Sequence, residues 1–227
     1  MSNALVDNVI SQGAYAMKLK STAFQGALLL LILFGEPAMA TEEPAFTVSM
    51  KEGAFEVRNY PALVAAQVDV TGTRGEASNA GFKLLAGYIF GGNTRKQSIA
   101  MTSPVVQAPS GNEKIAMTAP VIQTPMPGQS GTWTVRFIMP KAYTLETLPT
   151  PNDAKVQLLA LPPARFAVVS FSGLAREDDV ALHTTELNAF MASHALQAAG
   201  PPALARYNPP WTPWFMRRNE VLIAVTP

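Results

Sequence analysis

The chain has no cysteine, so neither a disulfide framework nor a cysteine-ligated zinc or iron–sulfur site can form. An oxidising compartment is permitted by this absence but is not required by it. Histidine is nearly absent too. His183 and His194, the only two, fall eleven residues apart in one helical stretch, on nearly the same face but about 16 Å apart at ~1.5 Å rise per residue, too far to share one ion. His183 and Glu186 lie one turn apart, but no further histidine remains to complete a metal set. There is no G-x-S-x-G elbow, no Gly-rich phosphate loop after a strand and no parallel βαβ rhythm, so no catalytic constellation and no dinucleotide fold is indicated. Charge of one sign is also lacking: a net +1 leaves no electrostatic footprint for nucleic acid.

The longest apolar run, Ala27–Phe34, is shorter than the ~20 residues a bilayer crossing needs. Lys18 and Lys20 precede it and Ala38-Met39-Ala40 follows it, the pattern of a cleavable export signal cut before Thr41. Residues 1–40 are therefore expected to be a signal peptide, with Met17 a possible start, and residues 41–227 a single domain with a substantial core. The expected product is exported and periplasmic, with no stable membrane insertion, and monomeric; a retained anchor, making a membrane-tethered interaction protein, is the alternative.

Strand-like alternation fills the region from Phe46 to Thr71, with Phe55 and Val57 against Glu56 and Arg58, then Val64, Ala66, Val68 and Val70 against Gln67, Asp69 and Thr71. Helical spacing takes over from Glu76 to Phe90 and ends at Gly91-Gly92. Two short segments then echo each other, SIAMTSPV (Ser98–Val105) and KIAMTAPV (Lys114–Val121), each expected to be a strand closed by its proline. Further strands are predicted at Thr132–Met139, Lys155–Leu161, Ala164–Phe171 and Glu220–Thr226, and a second helix from Asp178-Asp179 to Gly200. Strands, helix, strands, repeated once, describe an α+β fold of two similar halves.

Chemistry concentrates in ARYNPPWTPWFMRRNEV, Ala205–Val221, where three prolines, Pro209, Pro210 and Pro213, stiffen a loop carrying Trp211, Trp214 and Phe215. Large flat surfaces on a stiff loop suit a large flat ligand, although one of the two tryptophans is expected to plug the core. Met101, Met117 and Met139 read as flexible core packing rather than pocket lining. Arg217 and Arg218, adjacent on an expected strand, should point to opposite faces, one pairing with Glu220 or Glu56 and the other meeting an acidic ligand group. Of the two, Arg217 is assigned to the ligand.

FEVRNYP (Phe55–Pro61), YIFGGN (Tyr88–Asn93), the twin IAMTxPV segments, FIMP (Phe137–Pro140) and the C-terminal loop occur in an order that resembles the SOUL heme-binding protein family across the whole chain after the leader. The resemblance implies a distorted, mainly antiparallel β-barrel of about eight strands in two pseudosymmetric halves, each with one long helix. It also implies non-covalent heme or related tetrapyrrole binding in a shallow cleft, by Phe82, Lys83, Ala86 and Tyr88 of the first helix and Trp211, Thr212 and Trp214 of the loop. Ala86, Gly87 and Thr212 stand where relatives tend to carry larger or basic side chains, so apolar burial should supply most of the binding. A carrier or buffer without enzymatic activity follows. The alternatives are a binding module for another amphipathic small molecule and an enzyme using Glu220 or Tyr207 as acid or base.

Overall fold

The structure is a computed structural model that describes residues 42–95, 113–209 and 211–226. The expected signal segment and the first IAMT segment lie outside the described residues. In chain order the elements are β1 (Thr47–Glu52), β2 (Phe55–Tyr60), β3 (Leu63–Thr71), α1 (Arg74–Ile89), β4 (Asn93–Thr94), β5 (Val121–Pro125), β6 (Thr132–Ile138), β7 (Thr150–Pro151), β8 (Gln157–Leu161), β9 (Ala164–Ser172), α2 (Glu177–Ser193), β10 (Ala203–Arg206), a 3-10 turn (Trp214–Met216) and β11 (Arg218–Val225). Nine strands form one curled half-barrel sheet in the order β1-β2-β9-β11-β10-β5-β6-β3-β8, and β4 pairs with β7 separately. Every pair within these sheets is antiparallel.

From β2 to β8 this order is symmetric about the β10–β5 pair. Strands β9, β11 and β10 with α2 mirror β3, β6 and β5 with α1, while β2 pairs with β9 and β8 with β3. Each short connection that would close a hairpin, Pro61-Ala62 or Pro162-Pro163, instead sends its strand to the opposite half. Proline supplies no amide and fixes φ, which removes the hydrogen bonds of a tight hairpin. The exchange of β2 and β8 locks the halves into one unit.

Each helix covers its own half. Leu85, Tyr88 and Ile89 of α1 pack on Ala66, Val68, Val135 and Phe137, and Val180, Leu187, Phe190 and Met191 of α2 pack on Val57, Ala167, Val169 and Val221. Helix α1 starts at a capping box: Thr73 Oγ1 accepts from the Glu76 amide at 3.3 Å, and the Thr73 amide donates to Glu76 Oε2 at 2.9 Å. It lies so close to β6 that a Cβ on Gly81 would sit 2.6 Å from Val135.

Two expectations are corrected. KIAMTAPV is not a strand: only Thr118 bridges, to Glu42, and pairing begins at Val121. Ile115 instead donates its amide to the Ile89 carbonyl and is buried beneath α1, so the segment fills the core. Helix α2 stops at Ser193 rather than Gly200. The Leu196 amide returns to the Met191 carbonyl at 2.9 Å and Ala195 takes a φ of 53°, a Schellman ending built without the glycine that normally announces it.

The sheet face away from the helices is also covered at its centre, where Glu220 of β11 is fully buried. Arg58 of β2 grips its carboxylate through both terminal nitrogens, at 2.8 and 3.0 Å. Tyr207 donates at 2.5 Å, Ser170 at 3.0 Å, and Arg218 at 3.0 and 3.1 Å. Burial alone would push the Glu220 carboxyl up, but the hydrogen bonds from Arg58 and Tyr207 and the charges of Arg58 and Arg218 outweigh it and hold the group below the usual carboxylate range. Arg58 also lies over Phe46, which packs on Tyr60, and Arg218 reaches Glu43, so residues 43–46 cap the network.

Glu220→Gln should cost roughly 3–5 kcal/mol by leaving Arg58 buried without its counter-charge, read from urea unfolding at neutral pH. Because the folded pKa is depressed, the network's stabilisation is complete above the ordinary glutamate value of about 4.3 and is lost as pH falls through the folded value; the variant should lack this acid-dependent component. Gly81→Ala should lower stability by about 1–3 kcal/mol, because α1 must lift from Val135.

Candidate functional site

The C-terminal loop, from Tyr207 to Arg217, is tied down at its base. Tyr207 is anchored on Glu220, its amide donates to the Arg218 carbonyl at 3.2 Å, and the Arg218 amide donates to Asn208 Oδ1 at 2.6 Å. The loop also bonds itself, Thr212 amide to Pro209 carbonyl at 3.0 Å, Met216 amide to Pro213 carbonyl at 2.9 Å and Arg217 Nε to Thr212 carbonyl at 2.8 Å. These bonds hold the loop's backbone in place while its large side chains face out. Trp211, Trp214, Phe215 and Met216 are 82%, 60%, 61% and 63% exposed. Neither tryptophan plugs the core, contrary to expectation: both are largely exposed, on a loop that its prolines keep from folding back as a strand.

Four large apolar side chains exposed together on one loop are the composition of an interaction surface. Trp214 and Phe215 meet edge to face, with centroids 5.7 Å apart, leaving ring faces free for a flat partner.

Helix α1 approaches the root of this loop. Arg206, immediately before Tyr207, donates from Nη1 to Ser78 Oγ at 3.1 Å. Ser78, Phe82 and Ala86 follow at spacing four and form one stripe of α1. Phe82 is 36% exposed and leans edge-on against Phe137, 5.5 Å between centroids, whereas Ala86 is buried.

Lys83 and Tyr88 turn elsewhere. They line a separate cleft of about 490 Å³ with Leu84 and Gly87, closed by Gly92, Asn152 and Asp153. Tyr88 is 2% exposed and donates to the Pro149 carbonyl at 2.9 Å, with burial pushing its hydroxyl pKa up. At 100° per residue, the four helix positions cannot share one surface. Phe82 and Ala86 belong to the stripe that starts at the loop's root, and Lys83 and Tyr88 do not.

Arg217 precedes β11 rather than lying in it, so it does not alternate with Arg218 as expected. Arg218 takes the internal role, with Glu220 and Glu43 rather than Glu56, and its guanidinium lies 3.8 Å from the Tyr207 ring. Glu56 is claimed by Lys51 and Arg58. The histidines are engaged singly: His183 stacks on Phe171 and contacts Glu186 at 2.8 Å, and His194 contacts Glu52 at 2.8 Å. Among the described residues no group of three or more His, Asp or Glu side chains is gathered for a metal. Glu220 and Tyr207 saturate one another and their neighbours, which leaves neither placed to exchange a proton with a ligand. Met139 is buried as expected, while Met117 is 37% exposed, and Met101 lies outside the described residues. The contact of Arg206 with α1 was not read from the sequence; its visible trace is the run Leu204-Ala205-Arg206, where strand alternation puts an arginine on the same face as the buried Leu204.

Heme-binding protein 1 of Xenopus laevis is 27% identical over 175 residues, covering 75% of this chain and 84% of that protein. The C-terminal domain of EcmrR aligns with a TM-score of 0.50 at 9% identity, over 76% of this chain and 96% of that one, a likeness of fold alone. A hydrolase from Listeria innocua aligns with a TM-score of 0.49 at 11% identity, over 78% of this chain and 94% of that one. The family model for the SOUL heme-binding protein matches residues 41–113 and 108–224, and the chain therefore belongs to the SOUL heme-binding protein family.

Proposed function

We propose that the protein binds heme or a related tetrapyrrole reversibly, as a carrier or buffer, on the surface formed by the C-terminal loop and the Phe82 stripe of α1. The observation that carries this reading is the exposure of Trp211, Trp214 and Phe215 on a loop held by bonds of its own backbone. Such a surface is preformed, so ordering it costs little on binding. Trp211 and Trp214 would hold the macrocycle by ring contact, Phe82 would supply the helix side, and Arg217, fixed by its bond to Thr212, would stand at the edge.

Burying ~300 Å² of apolar ligand surface at ~25 cal/mol/Å² contributes about 7 kcal/mol before association costs. That magnitude suits release as well as capture. The leader-like residues 1–40 place this activity, in our reading, outside the cytoplasm, on a monomer starting at Thr41.

Hemin titrated into the protein should give a saturable Soret shift with quenching of tryptophan emission. Trp211→Ala and Trp214→Ala should each weaken binding roughly 5–10-fold, the loss of one aromatic contact with its buried area. No saturable shift would overturn the proposal, and equal competition by unrelated planar hydrophobes would favour the broader amphipathic binder. Sequencing the N-terminus of the exported form should return Thr41; recovery of an intact leader on membranes would place the protein as a tethered one.

A further inference from the structure

On the helix side of the sheet, strands β5 and β10 run between the two halves and neither helix covers them fully. A cavity of about 310 Å³ opens there, between the first turns of α1 and α2, with Gln123 and Leu204 in its floor, Arg74 and Trp133 on one wall and Glu177 and Thr184 on the other. Arg206 points to the same face as Leu204, two residues further along β10.

The polar groups here are incompletely satisfied. Among the described residues, the buried side-chain atoms without a hydrogen-bond partner are Arg74 Nε, Gln123 Oε1 and Arg206 Nε. Arg74 and Gln123 line the cavity, and Arg206 stands beside it, close enough for the charges of Arg74 and Glu177 to act on its guanidinium. Gln123 is 4% exposed and spends its amide nitrogen on the Arg74 carbonyl at 2.8 Å, which leaves its oxygen bare. Arg74 lies over Trp133 at 5.1 Å, and its Nε is 3.4 Å from Glu177 Oε1, an ion-pair distance without hydrogen-bond geometry. Arg206 has the Ser78 hydroxyl. Burial, then the charges of Arg74 and Arg217, push the Arg206 pKa down, with Glu177 the acid that opposes them.

Buried guanidinium groups short of acceptors cost free energy, and native chains keep few such defects. Gathered at and beside one cavity, with more positive charge than the one carboxylate balances, they make a site suited to an anion. Two Nε–H groups call for oxygens, and the Gln123 oxygen calls for a donor such as a hydroxyl, an N–H or a water beside them.

We propose that this groove is a carboxylate-binding subsite, in which Arg74 and Arg206 bond the anionic oxygens and Gln123 accepts from a neighbouring donor. The carboxylate has two possible sources. One is an acidic arm of the tetrapyrrole, which rests on the function proposed above and is favoured by continuity, since Arg206 stands at the root of the aromatic loop. The other is a free small carboxylate.

The test uses Arg206→Met and Arg74→Gln, with mesoporphyrin, its dimethyl ester and succinate as probes at fixed ionic strength. If the arm is the source, wild type binds free mesoporphyrin at least about tenfold more tightly than the ester, and the ratio falls toward one in Arg206→Met. If free carboxylates are the source, succinate raises Tm in wild type and in neither variant, whether or not porphyrin binds. Porphyrin binding that ignores esterification, together with no succinate effect, overturns the subsite and leaves the function proposed above standing; succinate binding without porphyrin binding does the reverse. Absence of both overturns both. Methionine keeps the apolar stem and removes the charge, so Arg206→Met should melt no lower than wild type without ligand; a fall of many degrees would assign the guanidinium a structural role and overturn the proposal.

Discussion

Glu220 holds together the part of the molecule on which its surface chemistry depends. One carboxylate gathers Arg58 from β2, Ser170 from β9, Arg218 from its own strand and Tyr207 from the end of β10. These strands are neighbours in the sheet, yet β2 is far from the others in the chain, with 162 positions separating Arg58 from Glu220. A charge taken out of water at this depth is tolerable only when every lone pair is occupied, and that demand fixes the relative register of three strands. Tyr207 is both a member of the network and the first residue of the aromatic loop. Loop position is therefore set from the interior.

That anchoring explains how four large apolar side chains remain outside in a folded protein. The loop is held by bonds of its own through the carbonyls of Pro209, Thr212 and Pro213, and its rings stay exposed. Exposure of this kind costs solubility and gains only if a ligand covers it. The sheet is continuous through the β10–β5 pair, and near that seam α1 and the root of the loop meet at Ser78 and Arg206. The two arginines of the inter-helix groove belong to the same economy: Arg58 and Arg218 are saturated, Arg74 and Arg206 are not, and the difference separates structural charge from charge held ready.

Much of the fold was legible in the chain. Alternation located β2, β3, β6, β9 and β11 because each packs at least one face on a helix-covered core, and helical spacing located α1 and α2 because each has one stripe to bury. Arg58 shows where the reading failed. It follows Val57 as the polar partner in an alternating strand and would be placed in water, yet it is 3% exposed, since both faces of β2 are covered. The end of α2 was overrun because Ala195 occupies a left-handed position usually held by glycine, and KIAMTAPV was read as a strand because local composition does not reveal that its apolar residues fill a gap beneath α1.

Residue types and spacing along single segments were enough to reveal most of the strands, both helices, the stiffness and aromatic content of the loop and the family. Tertiary structure decided which residues meet: that Phe82 and Ala86 lie on the loop's side of α1 while Lys83 and Tyr88 do not, that both tryptophans stay outside, and that Arg74, Gln123 and Arg206 converge. Such meetings depend on strand order and on which face of the sheet is covered. Those are set by burial and charge pairing summed over the whole chain, which no single segment encodes.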